Sequence, residues 1–169
     1  MSEFRYDSYC GIYCGACEIL HAKTEEDEVR VSKIWEGTLS ASLEQMQCSG
    51  CKSDNLFFNC AQCVMRPCAI SKGVEFCIEC EEYPCGYYEA GKQMVDQLPY
   101  LKHMKAIIKN QRYIRDHGVA QWLEDQKTSW ECPQCGSRFA WYMEECRECG
   151  RDLRGIKDYE ALTDEDTTF

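Results

Sequence analysis

Fifteen of the 169 residues are cysteine, and their spacing constrains the fold more than any other feature of the chain. Eight form four C-x2-C pairs, Cys14/Cys17, Cys48/Cys51, Cys60/Cys63 and Cys77/Cys80, and four more make a C-x2-C-x10-C-x2-C run at Cys132, Cys135, Cys146 and Cys149. Two cysteines separated by two residues let both thiolates of a tight turn point at one ion, a preference that a disulfide framework does not show. The odd cysteine count, a start (MSEFRYDSYC) without an apolar signal core, and the lack of any run near ~18 apolar residues all favour ligation in a reducing compartment. A cytoplasmic protein is the expectation. Apolar residues make up 44% of the chain and fill only modest cores, so metal is expected to organise much of the fold.

Charge narrows the partners. The formal net charge is -10, and a metal ion held by four thiolates leaves it more negative still. Nucleic acid is disfavoured, because a basic surface that neutralises phosphate supplies most of that affinity. A protein is the expected partner and no membrane contact is expected, while the oligomeric state stays open.

Along the chain the reading is a cysteine-rich metal-binding domain at 1–92, a helical bridge at 93–128, a zinc ribbon at 129–152 and an acidic tail at 153–169. Inside the first, NCAQCVMRPCAI and FCIECEEYPCGY align without a gap. The offset is seventeen residues and places Cys60, Cys63 and Cys68 over Cys77, Cys80 and Cys85, which predicts two similar knuckles side by side. Thr24 is positioned to cap a helix with an acidic first turn at 25–28, an apolar face of Val31, Ile34 and Trp35, and a stop at Gly37. In the bridge, Tyr100, Leu101, Met104, Ile107, Ile108 and Ile114 predict one helix over 99–117 that ends at Gly118. Val119, Trp122, Leu123 and Gln126 predict a second. Lys102, Lys105, Lys109 and Arg112 form a basic stripe on the first, read as a solvated face near acidic segments of the same chain.

CPQCG and CRECG are two knuckles whose glycines permit the turn that brings backbone N–H groups toward sulfur, with Phe139, Trp141 and Tyr142 between them as an aromatic hairpin face. Zinc suits such a ribbon better than a rubredoxin-like iron. The other eleven cysteines do not divide by four. Adding His21 gives twelve ligands and three sites. The preferred alternative pairs the four knuckles into two sites and leaves Cys10, Cys68 and Cys85 as buried or reactive thiols, since a lone histidine is more often a packing residue. Cys10, Cys14 and Cys17 also have the spacing of a radical S-adenosylmethionine cluster motif. However, Ala16 stands where those enzymes carry an aromatic, and no repeated βα units follow. No phosphate-binding glycine loop, HExxH pair or G-x-S-x-G elbow is present, so no catalytic residues and no organic-cofactor site are expected, and a free Cys10, Cys68 or Cys85 is the one open nucleophile, with structural burial the preferred reading of each.

At CGIYCGAC, CSGC, CVMRPCAISKGVEFCIECEEYPCGYY, IRDHGVAQWL and WECPQCGSRFAWYMEECRECG the sequence resembles a prokaryotic cysteine-rich family of unknown function, family 3795, in its longer form with a C-terminal zinc ribbon. The resemblance implies a cytoplasmic, zinc-binding protein with no assigned reaction. Cys10, Cys14, Cys17, Cys48, Cys51, Cys63, Cys68, Cys77, Cys80 and Cys85 fall on the family pattern, and Cys60 and His21 are less typical of it. The combined expectation is a small metal-organised α+β fold: a cysteine-rich zinc-knuckle domain, a helical bridge and a C-terminal zinc-ribbon hairpin. All fifteen cysteines are candidate ligands for three or four zinc ions. The function expected is a non-catalytic interaction or regulatory module, and the competing class is an iron–sulfur or thiol redox enzyme using the N-terminal cysteines.

Overall fold

A computed structural model describes residues 4–24 and 48–157, with Leu162 and Asp166. Helices dominate: Glu18–Thr24 (α1), Phe58–Ala61 (α2), Met65–Lys72 (α3), Gly86–Gln97 (α4), Ile107–His117 (α5) and Val119–Ser129 (α6), with 3-10 segments at Cys14–Ala16, Cys77–Glu79 and Pro99–Ala106. The helix expected from Thr24 onward lies outside the described residues, and Thr24 itself is the last residue of α1. Among the described residues β structure is limited to two isolated antiparallel bridges, Glu131 with Arg138 and Glu145 with Asp152. The hairpin expected at 129–152 is therefore two single-rung turns, and Trp141 and Tyr142 form a turn rather than a strand.

The bridge follows the expected order with one break. Residues 99–106 wind as a 3-10 helix and only Ile107–His117 is α-helical. A local cause is visible: the hydroxyl oxygen of Tyr142 accepts the backbone N–H groups of Lys102 and His103, giving those amides an acceptor outside the helix. Gly118, at φ +85°, ends α5 and donates its N–H to the Ile114 carbonyl at 2.8 Å. The Tyr113 hydroxyl then donates to the Asp125 carboxylate, tying α5 to α6. Lys109 of the basic stripe meets Asp166 at 3.1 Å.

One apolar cluster crosses the expected boundaries at 92 and 128. Tyr13 and Ala16 from the first cysteine turn, Phe76 from the repeat, Ile114 and Trp122 from the helices, and Trp130, Cys132, Phe139, Cys146 and Leu153 from the C-terminal run pack together. Trp122 is 1% exposed and meets the Tyr13 ring edge-on at 6.1 Å. Two main-chain ties reinforce this packing, since the Trp141 N–H donates to the Ala16 carbonyl at 3.0 Å and the Tyr142 N–H to Glu18 Oε1 at 2.8 Å.

Polar side chains inside this core set its register. Gln111 is fully buried in line with Ile107, Ile108 and Ile114. Its Nε2 donates to the Tyr9 carbonyl at 2.8 Å, and its Oε1 accepts the Ile78 N–H at 2.9 Å. Lys52, between Cys51 and Ser53, meets the buried Asp7 carboxylate at 2.8 Å and lies over the Phe76 ring at 3.9 Å. Burial opposes the Asp7 charge, yet the hydrogen bonds from Arg5 and Lys52 hold its pKa below the ordinary carboxylate value.

His103 fastens the bridge to the C-terminal run. Its ring stacks on Trp141 at 3.7 Å and its Nδ1 lies 2.6 Å from the Tyr142 hydroxyl. That hydroxyl oxygen already accepts two amides, so its own proton is directed at Nδ1, which must be unprotonated. Desolvation accordingly pushes His103 down to about 3. A depressed histidine favours the fold fully above its unfolded pKa near ~6.5, and the contribution fades as pH falls from there toward the folded value. The thermal midpoint should drop between about pH 7 and about pH 5, and drop less in His103→Gln. Differential scanning calorimetry on the pair of proteins reads this, because acid release of metal is common to both.

Candidate metal centre

Each half of the C-terminal run folds into the same turn. Gly136 and Gly150, at φ +75° and +70°, adopt the left-handed region that a side chain disfavours, and they donate N–H to the Cys132 and Cys146 carbonyls at 2.8 Å. The Cys132 N–H donates to Ser137 and the Cys146 N–H to Arg151, both at 2.8 Å. These turns leave the amides of Ser137 and Arg151 on Cys135 and Cys149, and those of Glu148 and Cys149 on Cys146.

The outcome is a quartet, Cys132, Cys135, Cys146 and Cys149, whose four sulfurs all lie within 4.8 Å of one another. Across the two turns, Cys132 Sγ is 3.7 Å from Cys149 Sγ and Cys135 Sγ is 3.5 Å from Cys146 Sγ. A tetrahedral zinc with Zn–S near ~2.3 Å requires sulfurs about 3.8 Å apart, so the arrangement fits one ion. Cys132 and Cys146 face the core and Cys135 faces solvent.

Ser137 is the member that spacing did not single out. Its hydroxyl lies 3.1 Å from Cys135 Sγ and 3.0 Å from Cys146 Sγ. The hydrogen bond from Ser137 draws Cys146 down to about 6, so its thiolate forms near neutral pH, and Ser137 also lowers Cys135. Groups that orient ligands in this way typically contribute 10–100-fold in metal affinity. Ser137→Ala should weaken zinc binding by about tenfold in a chelator competition titration.

Four of the other eleven cysteines share one cavity. Cys68, Cys77, Cys80 and Cys85 line one cavity between α3, the Cys77–Glu79 turn and the start of α4. The remaining seven, Cys10, Cys14, Cys17, Cys48, Cys51, Cys60 and Cys63, are electrostatic neighbours of one another; they also adjoin the cavity, since Cys51 and Cys63 act on Cys77 and Cys10 packs in one apolar cluster with Cys77 and Cys85. Burial raises the Cys10 thiol, with Cys51 and Cys63 adding to it, and it raises Cys60, with Cys17 and Cys48 next in effect. Burial also pushes Cys17 up to about 12 against the N–H groups of Leu20 and Ile19. Cys68 and Cys85, left over in the paired-knuckle division, thus stand with Cys77 and Cys80. His21, needed for the twelve-ligand division, directs Nε2 at the Gly15 carbonyl at 2.9 Å. Among the described residues no second set of three or more such groups reaches the 4.8 Å spacing.

The sequence repeat is reproduced only in its first half. Cys63 and Cys80 each donate N–H to the carbonyl of the cysteine three residues before, at 3.2 and 3.1 Å, as Cys17 does at 3.1 Å. Beyond that point Cys68 lies inside α3, whereas Cys85 precedes α4.

The DUF3795 family, described as a protein of unknown function, matches residues 6–90, just over half of the chain. The chain belongs to that family. No curated protein and no solved structure matches it. The DUF3795 stretch contains the seven-cysteine group and the four cavity cysteines, while the tetrahedral quartet lies beyond it, packed on the Tyr13 to Ala16 turn of the DUF3795 region. Among the described residues no helix is long and apolar enough to cross a membrane.

Proposed function

We propose that the protein is a zinc-binding, non-catalytic interaction or regulatory module of the cytoplasm, whose C-terminal quartet is a closed structural site in ribbon form. The supporting observation is the spacing of four sulfurs at tetrahedral edges within the shared core. Four thiolates fill the coordination of zinc and leave no position for water, which is the arrangement of structural rather than catalytic zinc. The aromatic residues of the run serve the fold: Phe139 is 2% exposed and Trp141 is stacked on His103. Exposed apolar side chains stand instead around the repeat, Val64 and Ile70 at α3, and Tyr87 and Met94 at α4, which favours a protein partner there.

Cobalt substitution tests the closed site. The cobalt-loaded protein should show the tetrahedral all-thiolate spectrum, unchanged by added azide or cyanide. A spectrum that shifts with either anion would show an open coordination position and contradict the structural role.

A further inference from the structure

The cavity lined by Cys68, Cys77, Cys80 and Cys85 has a volume of about 480 Å³ and is walled mainly by apolar groups, including Met65, Ala69, Tyr83 and Tyr88. Its four thiols come from three different elements, and the repeat that generates the spacing has no other role in the quartet at 132–149. The two four-cysteine sets differ in scale. At the C-terminal quartet the sulfurs already stand at the edges of a single-ion tetrahedron, whereas no three of the cavity's sulfurs fall within 4.8 Å of one another. A lone zinc would have to draw them to about 3.8 Å. A polynuclear cluster binds each thiolate through a different iron, so its ligands stand apart around an occupied volume.

We propose that Cys68, Cys77, Cys80 and Cys85 hold a [4Fe–4S] cluster in this cavity. The surroundings suit such a group. Lys72 and Glu82 both line the cavity and pair at 2.7 Å. The thiols of Cys80 and Cys68 are also among the neighbours that favour the Lys72 charge, after its hydrogen bond to Glu82. Lys72 thus stands beside Cys80 and Cys68, with Glu82 as its counter-ion. The partly exposed cysteines give the cluster contact with solvent, and the tyrosines and Met65 form its dry wall. Assembly replaces four S–H protons by four S–Fe bonds, with two ferrous ions, two ferric ions and four sulfides supplying the core without any change of oxidation state.

The test uses the full chain, zinc-loaded and then incubated without oxygen with equal amounts of ferrous and ferric iron and with sulfide. About four iron and four acid-labile sulfide per chain are expected, with broad brown absorption. Iron should fall at least tenfold in Cys80→Ser/Cys85→Ser and stay unchanged in Cys48→Ser/Cys60→Ser. On the unmutated protein, alkylation followed by mass spectrometry should find Cys68, Cys77, Cys80 and Cys85 protected only after reconstitution, a readout that does not depend on a variant folding. Colourless protein, a cluster that survives in Cys80→Ser/Cys85→Ser, or protection confined to the seven-cysteine group would each overturn the proposal. The zinc count of the same samples reports the C-terminal quartet separately, so failure here is distinguishable from failure of the ribbon reading.

Discussion

Cys132→Ser should release about one metal ion per chain and lower the melting temperature of the whole protein in a single transition. A structural zinc in small domains corresponds to roughly 10–16 kcal/mol of apparent binding free energy, which is folding free energy when the site does not exist in the unfolded chain. Cys132 and Cys146 are 2% and 3% exposed and share one cluster with Tyr13, Ile114 and Trp122, so disorder at the quartet exposes apolar surface on the bridge and on the first cysteine turn. Metal analysis combined with calorimetry checks both parts. A separate low-temperature transition for the C-terminal run, with the rest of the chain melting as before, would show that the core is not shared.

The second large effect is expected at Gln111. Gln111→Leu fills nearly the same volume but leaves the Ile78 N–H without its partner, while the Tyr9 carbonyl keeps only the bond it accepts from the Cys77 N–H at 2.8 Å. One orphaned group costs about 1–3 kcal/mol, so the loss should be of that size. Gln111→Glu keeps the acceptor for Ile78 and loses the donor to Tyr9. It should be destabilised as well, because a carboxylate faces a carbonyl. Urea unfolding midpoints read the differences, and a Gln111→Leu protein as stable as the parent would remove Gln111 from the account.

The C-terminal quartet was legible in the sequence because its ligands, its glycines and its turn geometry all lie within one short run, where spacing alone brings the sulfurs together. Grouping the other eleven cysteines was not legible in the same way. Cys68 reaches Cys77, Cys80 and Cys85 only through the way α3 packs near α4, with Met65 within 3.2 Å of where a Gly91 side chain would begin. The helix expected over 99–117 starts as a 3-10 segment because two of its amides bond to Tyr142, a partner thirty-nine residues beyond His103. Gln111 escaped because one polar residue in the apolar series Ile107, Ile108, Ile114 looks like a gap in the stripe, when it is a buried crosslink. Ser137 offered a faint signal, a hydroxyl two residues after a ligand cysteine in CPQCGS. The aromatic residues near the quartet were visible, but their direction was not: Phe139 and Trp141 turn toward the protein's own core and His103.

The most direct test of the account is an anomalous-difference map at the zinc edge from crystals of the zinc-loaded protein. A single strong peak about 2.3 Å from each of the four sulfurs of Cys132, Cys135, Cys146 and Cys149 is the predicted result. A zinc-loaded crystal with no peak among those sulfurs, or with a peak that also carries a water ligand, would contradict a closed structural centre at this site.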